Sequence, residues 1–362
     1  MENSINYFKK GNTMNEFRYF NFENQNACYD YYQSFAYLLI EHLNPENNPF
    51  NLKSIKQFNF CYFWDDSVNS GCYELEDLDV LKVNEGTILK LYNLFYKLNT
   101  KYELIKLSFE AKPRTEIRNK IFYNNHESDY KQISSEMVLS DDIVSNNIAE
   151  YMAMFAIKWI IAHEIGHVFN GHTSYYSEIR KKIQNENNED EKEKLFLELQ
   201  AMEIDADAFA VNRIIDVVMD LYKNNDKILN MLKNQKDLFK LVIFSIHGVF
   251  YMFRDSDLYG CTKGEHPPTF IRECLVLSSM KECLLKNYNF KIDDNYIVED
   301  VGKIESLMCR LDGKSNENYI DYIKNFYPEI KEHLAKIQYN FKNNIIFKIN
   351  DEARLPIEGI HY

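Results

Sequence analysis

Glycine and proline are scarce in this chain, 11 and 7 among 362 residues. That argues against a sandwich of short strands joined by tight turns and favours helices. Cysteine is sparse too: Cys28, Cys61, Cys72, Cys261, Cys274, Cys283 and Cys309 form no CxxC pair. An odd count at wide spacing fits reduced thiols in the cytoplasm, not a disulfide framework. The net charge is −13 and basic clusters such as Arg180-Lys181-Lys182 are followed at once by acids. Without a basic stripe to neutralise phosphates, nucleic acid is not an expected partner. The N-terminus lacks the apolar stretch of a signal peptide. The most apolar run, Leu238–Phe253, contains Lys240 and His247 and falls short of the ~20 residues a spanning helix needs. It reads as a buried core helix, and no membrane partner is expected. No P-loop, GxGxxG, Ser/His/Asp motif or internal repeat is present.

What remains is a folded composition, 45% hydrophobic and 27% charged. Apolar spacing predicts helices over Asp30–Leu43, Glu85–Leu98, Leu195–Tyr222, Leu238–Phe253, Val298–Leu311 and Tyr319–Gln338. It predicts strands over Gln57–Trp64, Glu116–Tyr123 and Glu136–Leu139. A long helix starts after Asp141-Asp142 or Ser145, any of which can cap it, and stops at Asn170-Gly171. The charged stretch Gln184–Lys194 reads as an exposed loop or a solvated helix start. The expected fold class is α+β, mainly α, divided into an α+β region 1–113, a central domain 114–288 and a helical appendage 289–362. Residues 1 to 20 are polar and read as loosely held.

The long helix carries His163-Glu164-Ile165-Gly166-His167. Histidines four apart share one helix face, so both imidazoles can reach one ion. Glu164 between them can serve as general base for a metal-activated water. Two imidazoles and one carboxylate suit Zn²⁺ and leave its fourth position open. A helix with two buried, hydrogen-bonded histidines and a surface glutamate is the competing reading. The apolar run ahead of the motif, MFAIKWIIA, counts against it.

The third ligand must come from elsewhere. The pattern HExxHxxGxxH fails, because Asn170 and Thr173 occupy the required positions. Glu203 and Asp207 share a face of the next helix beside its apolar stripe. A buried carboxylate pair is costly unless compensated. Metal ligation compensates Glu203, and Asp207 can accept the free N–H of a ligating histidine. Asp205 is expected to face solvent. Further on, His266-Pro267-Pro268 and Arg272 can reach a cleft together, and either His266 or Arg272 could stabilise an oxyanion. His172 reads as a surface residue or a support for a ligand, and His247 as a satisfied core histidine.

The order HEIGH, EIDAD, HPPTFIR resembles the HExxH, ExxxD and HPxxxxR elements of M48-like gluzincin peptidases. More narrowly, AIKWIIAHEIGHVFNGH with those elements resembles the Lit-type phage-exclusion peptidases, family U49, over residues 148–275. The resemblance implies a zincin-like catalytic domain in a cytoplasmic zinc endopeptidase. Its substrate would be an intracellular protein or peptide, its setting phage defence by abortive infection, and its activator a phage- or host-derived protein. Two other readings are a non-catalytic zinc-binding scaffold and a metallopeptidase directed at a transcriptional repressor.

Overall fold

Few helix breakers and long apolar stripes produce a mainly helical protein with one small sheet. The computed structural model describes residues 13–14, 25–43, 57–63, 65, 67–75, 78–101, 116–122, 134–232, 237–254, 264–313 and 331–349. The sheet comprises β1 (Thr13–Met14), β2 (Gln57–Phe63), β3 (Ser70–Leu75) and β4 (Leu78–Asn84), in the order β1-β2-β4-β3. Strands β2 and β4 run parallel, Gln57 opposite Leu78 through Phe63 opposite Asn84. Strand β3 is antiparallel to β4, Ser70 opposite Val83, and has β4 as its one described neighbour. A hairpin of β5 (Glu116–Phe122) and β6 (Ser134–Ser140) stands apart.

The helices are α1 (Gln25–Leu43), α2 (Glu85–Lys101), α3 (Ile143–Phe169), α4 (His172–Asn185), α5 (Glu189–Lys223), α6 (Asp237–Phe253), α7 (Thr269–Tyr288) and α8 (Asp294–Leu311). Of the expected helix over 319–338, only 331–338 lies among the described residues, within helical residues 331–340. The expected loose segment, residues 1 to 20, lies outside them apart from β1.

Asp142 is the residue that caps α3: its carboxylate accepts from the Val144 N–H at 3.3 Å and from the Ser145 hydroxyl at 2.6 Å. The helix ends where Gly171 takes φ 75°, a left-handed conformation that costs a residue with a side chain. The chain then reverses into α4. The charged stretch runs from the end of α4 through a short connection into the start of α5, where Asn188 caps and Glu189, Asp190 and Glu191 favour the positive end of the helix dipole. Among the described residues α3 is the one helix long and apolar enough to cross a membrane, and 94% of that stretch is buried inside the protein.

One hydrophobic cluster draws Tyr32 from α1, Tyr62 from β2, Phe95 from α2, Trp159 from α3, Ile214 from α5 and Met308 from α8. The ranges 1–113, 114–288 and 289–362 therefore share a core. A second cluster joins Ile179 of α4 and Met202 of α5 to Ile337, Phe341 and Ile345 near the C-terminus.

Inside the first cluster α6 carries a fully buried charged group. His247 Nδ1 lies 2.6 Å from Glu273 Oε1 of α7, and its Nε2 lies 2.9 Å from Glu305 Oε2 of α8. Arg254 closes the set with two bonds to Glu305, at 2.8 and 3.1 Å. Burial opposes a charge on His247, but the two carboxylates outweigh it and lift the imidazole to about 9. A raised folded-state value means that this group's stabilisation is complete below the ordinary 6.5 and fades as pH rises through about 9. His247→Gln is expected to cost about 3–5 kcal/mol near neutrality, since it removes the cation shared by two buried carboxylates. Thermal melts of parent and variant from pH 6 to 10 test this. The gap should close toward pH 10, and a gap independent of pH would contradict it.

Candidate metal centre and active-site cleft

The site is built where α3 and α5 cross. Gly166 makes the close approach possible: a Cβ there would sit 3.1–3.2 Å from the Phe209 side chain on α5. With the helices that near, α3 turns His163, Glu164 and His167 toward Glu203 and Asp207. All five are buried. Trp159, one turn before His163, stacks on its ring with centroids 5.5 Å apart.

His163 Nε2 and His167 Nε2 lie 3.2 Å apart. Each is 3.4 Å from an oxygen of Glu203. The three side chains could hold one metal ion. Four ligands placed tetrahedrally around an ion with bonds of 2.0–2.1 Å are roughly 3.3–3.4 Å from one another. The two Nε2 atoms are close to that spacing, each imidazole faces a different oxygen of Glu203, and a set of two imidazoles and one carboxylate leaves a fourth direction open.

Each histidine is steadied from behind. His163 Nδ1 is 2.9 Å from Asp207 Oδ1. Arg272 of α7 grips Asp207 with two bonds of 2.8 Å and also lies 3.3 Å from Glu203 Oε2. On the other side His167 Nδ1 meets His172 Nδ1 at 3.1 Å. His172 Nε2 in turn lies 3.2 Å from Asp205 Oδ2, which accepts from the Asn170 amide at 2.5 Å. Both ligand imidazoles are thereby presented through Nε2, with Nδ1 engaged elsewhere.

The charges follow from this packing. Burial opposes a charge on His163, yet its bonds to Asp207 and Glu203 prevail and raise it to about 10. Burial, with His163 and His172 adding to it, holds His167 well below the ordinary imidazole value. Glu203 overcomes its burial through His266, His167 and His163 and is held far below the usual carboxylate range. Asp207 is lowered likewise, mainly by Arg272. Glu164 behaves oppositely: burial raises it, against the pull of His163 and of its hydrogen bond from Ser70.

The triad opens into a cleft of about 910 Å³ lined by Ser70, Tyr73, Tyr176, Arg180, Glu265 and His266, among others. His266 Nδ1 is 3.1 Å from Glu203 Oε2 and its side chain is 57% exposed, so it stands at the rim. Arg272, the other residue considered for the oxyanion, is engaged by both carboxylates.

One expectation needs correction. Asp205 does not face solvent: it is 8% exposed, because the turn at Asn170-Gly171 folds His172 and Asn170 against it. His172 is likewise buried, which makes it a support for His167 instead of a surface residue. The signal for this pair was Gly171 in the helix-stop dipeptide, directly before His172. Ser70, which donates to Glu164 at 2.6 Å, had no signal in the sequence.

Residues 110–281 match the family model described as Peptidase U49, in agreement with the resemblance drawn from the motifs. No curated protein and no solved structure matches the chain. The matched segment contains the triad, Glu164, Asp207, His266 and Arg272, and supports peptidase activity. It leaves out β3 and the C-terminal stretch.

If the two supports orient the triad, Asp207→Asn and His172→Phe should each weaken divalent-metal binding by roughly 10- to 100-fold. Competition against a chromophoric chelator measures this. Parent-like affinity in His172→Phe would reduce His172 to packing.

Proposed function

We propose that this protein is a cytoplasmic zinc-dependent endopeptidase of zincin-like architecture that cleaves an intracellular protein. The observation that carries the reading is the open triad of His163, His167 and Glu203 with a buried carboxylate, Glu164, on the same helix beside it. A metal site that served only to hold the fold would be closed by a fourth protein ligand and would have no use for Glu164.

His163, His167 and Glu203 would hold the zinc, which supplies Lewis acidity toward the scissile carbonyl and a water more easily deprotonated. The remaining steps belong to the chain. Glu164 accepts a proton from the attacking water and returns it to the leaving amine. His266, at the rim, donates a hydrogen bond to the oxyanion as it develops. Asp207 fixes the orientation of His163 and His172 that of His167, while Arg272 neutralises the two carboxylates behind the site. The cleft is open along β3, where an extended peptide could add main-chain hydrogen bonds.

The cytoplasmic reading is supported by the thiols of Cys61, Cys274 and Cys283, which form no disulfide. The likeness to Lit-type peptidases supports a role in phage defence, with a phage- or host-derived protein as the activator.

The central test is Glu164→Gln, which keeps size and much of the hydrogen bonding but cannot take the proton. It is expected to retain zinc and the parent's melting temperature while cleavage falls by about 10²–10⁴. Incubation with host lysate, with and without chelator, followed by mapping of new N-termini, measures the loss. Undiminished cleavage in the variant would remove Glu164 as the base, and a parent chain without chelator-sensitive cleavage would replace the peptidase by a zinc-binding scaffold.

A further inference from the structure

Strand β3 lies outside the segment that matches the peptidase family, yet it reaches into the site. Ser70 Oγ donates to Glu164 Oε1 at 2.6 Å, across 94 residues of sequence. That length is typical of a hydroxyl bonded to an ionised carboxylate.

Ser70 is fixed from its own side as well. The residue before it, Asn69, has both backbone groups bound. Its N–H donates to Thr87 Oγ1 at 2.8 Å, and its carbonyl accepts from Thr87 Oγ1 at 2.8 Å and from the Asn84 N–H at 3.0 Å. Thr87 is fully buried on α2, so the entrance to β3 is tied to the core. Four residues on, the same strand face carries Glu74, which accepts a hydrogen bond from Ser174 of α4. The strand is thereby fastened to α3 at Glu164 and to α4 at Ser174, on either side of the turn that carries His172.

A glutamate side chain has several rotamers, and a general base works only when its oxygen meets the water within hydrogen-bond reach. We infer that Ser70 is a positioning residue for Glu164: its hydroxyl holds Oε1 and leaves Oε2 to receive the proton from the attacking water. This rests on the peptidase reading and deepens it, because it makes the N-terminal sheet part of the catalytic apparatus. A segment trimmed to 110–281 would keep every metal ligand and lack the group that sets the base.

The test uses the full chain loaded with zinc and fluorescein-labelled, denatured casein as the probe. Ser70→Ala and Ser70→Val, the latter matching threonine in shape, should lower kcat by about 10- to 100-fold with KM and zinc content near the parent's. Ser70→Thr, which keeps the hydroxyl, should recover most of the rate. A second measurement needs no activity. In metal-free protein the change in melting temperature caused by Ser70→Ala should vanish in a Glu164→Ala background, as two contacting groups require. Undiminished kcat in both Ser70→Ala and Ser70→Val, or an equal melting shift in both backgrounds, overturns the role of Ser70 and leaves the peptidase reading intact. A parent chain with no chelator-sensitive cleavage of casein or of any host-lysate protein overturns both together.

Discussion

Two carboxylates, Glu203 and Asp207, are buried on one face of α5 against two histidines of α3, and the surrounding structure is arranged to make that burial tolerable. An ionised carboxylate moved out of water costs several kcal/mol even after the protein relaxes. Asp207 is compensated within the chain by the two bonds from Arg272. Glu203 is compensated by His266, His167, His163 and the edge of Arg272, and its two oxygens face the two Nε2 atoms. Glu203, His163 and His167 could hold a divalent cation between them.

The demands of this cluster propagate outward. The helices must approach closely, which Gly166 permits. The chain must reverse within two residues of α3, which Gly171 permits, and that reversal delivers His172 to the back of His167. Arg272 must come from α7, and its neighbour Glu273 faces the opposite way into the His247 group. One helix thus serves two buried charge clusters, the site on one side and the core on the other. The His-Pro-Pro turn is supported from further still: Gln200 donates to the Gly264 carbonyl at 2.8 Å, and His333 meets Gln200 Oε1 at 2.7 Å.

The sequence was most legible where a local pattern and its chemical purpose coincided. The apolar stripe and end signals of α3, the i,i+4 histidines and the Glu203/Asp207 face all express helix geometry, and the structure brings these side chains together. Legibility failed where position depends on long-range pairing. Strands β3 and β4 escaped detection because β4 is paired on both edges and largely buried, so its residues do not alternate cleanly between apolar and polar. Helix α4 was obscured by the stop signal immediately before it. The link from Ser70 to Glu164 exists only once the sheet is placed over α3, and Asp205 was assigned to solvent because no spacing rule reports that His172 folds back on it.

The claim on which the account turns is that the buried triad holds a single zinc ion. Anomalous diffraction at the zinc edge, from crystals of the full chain grown with stoichiometric zinc, tests it most directly. The account requires one strong peak about 2.0–2.2 Å from His163 Nε2, His167 Nε2 and an oxygen of Glu203. A zinc-free triangle in those crystals, or a peak bound instead by other side chains, would contradict it.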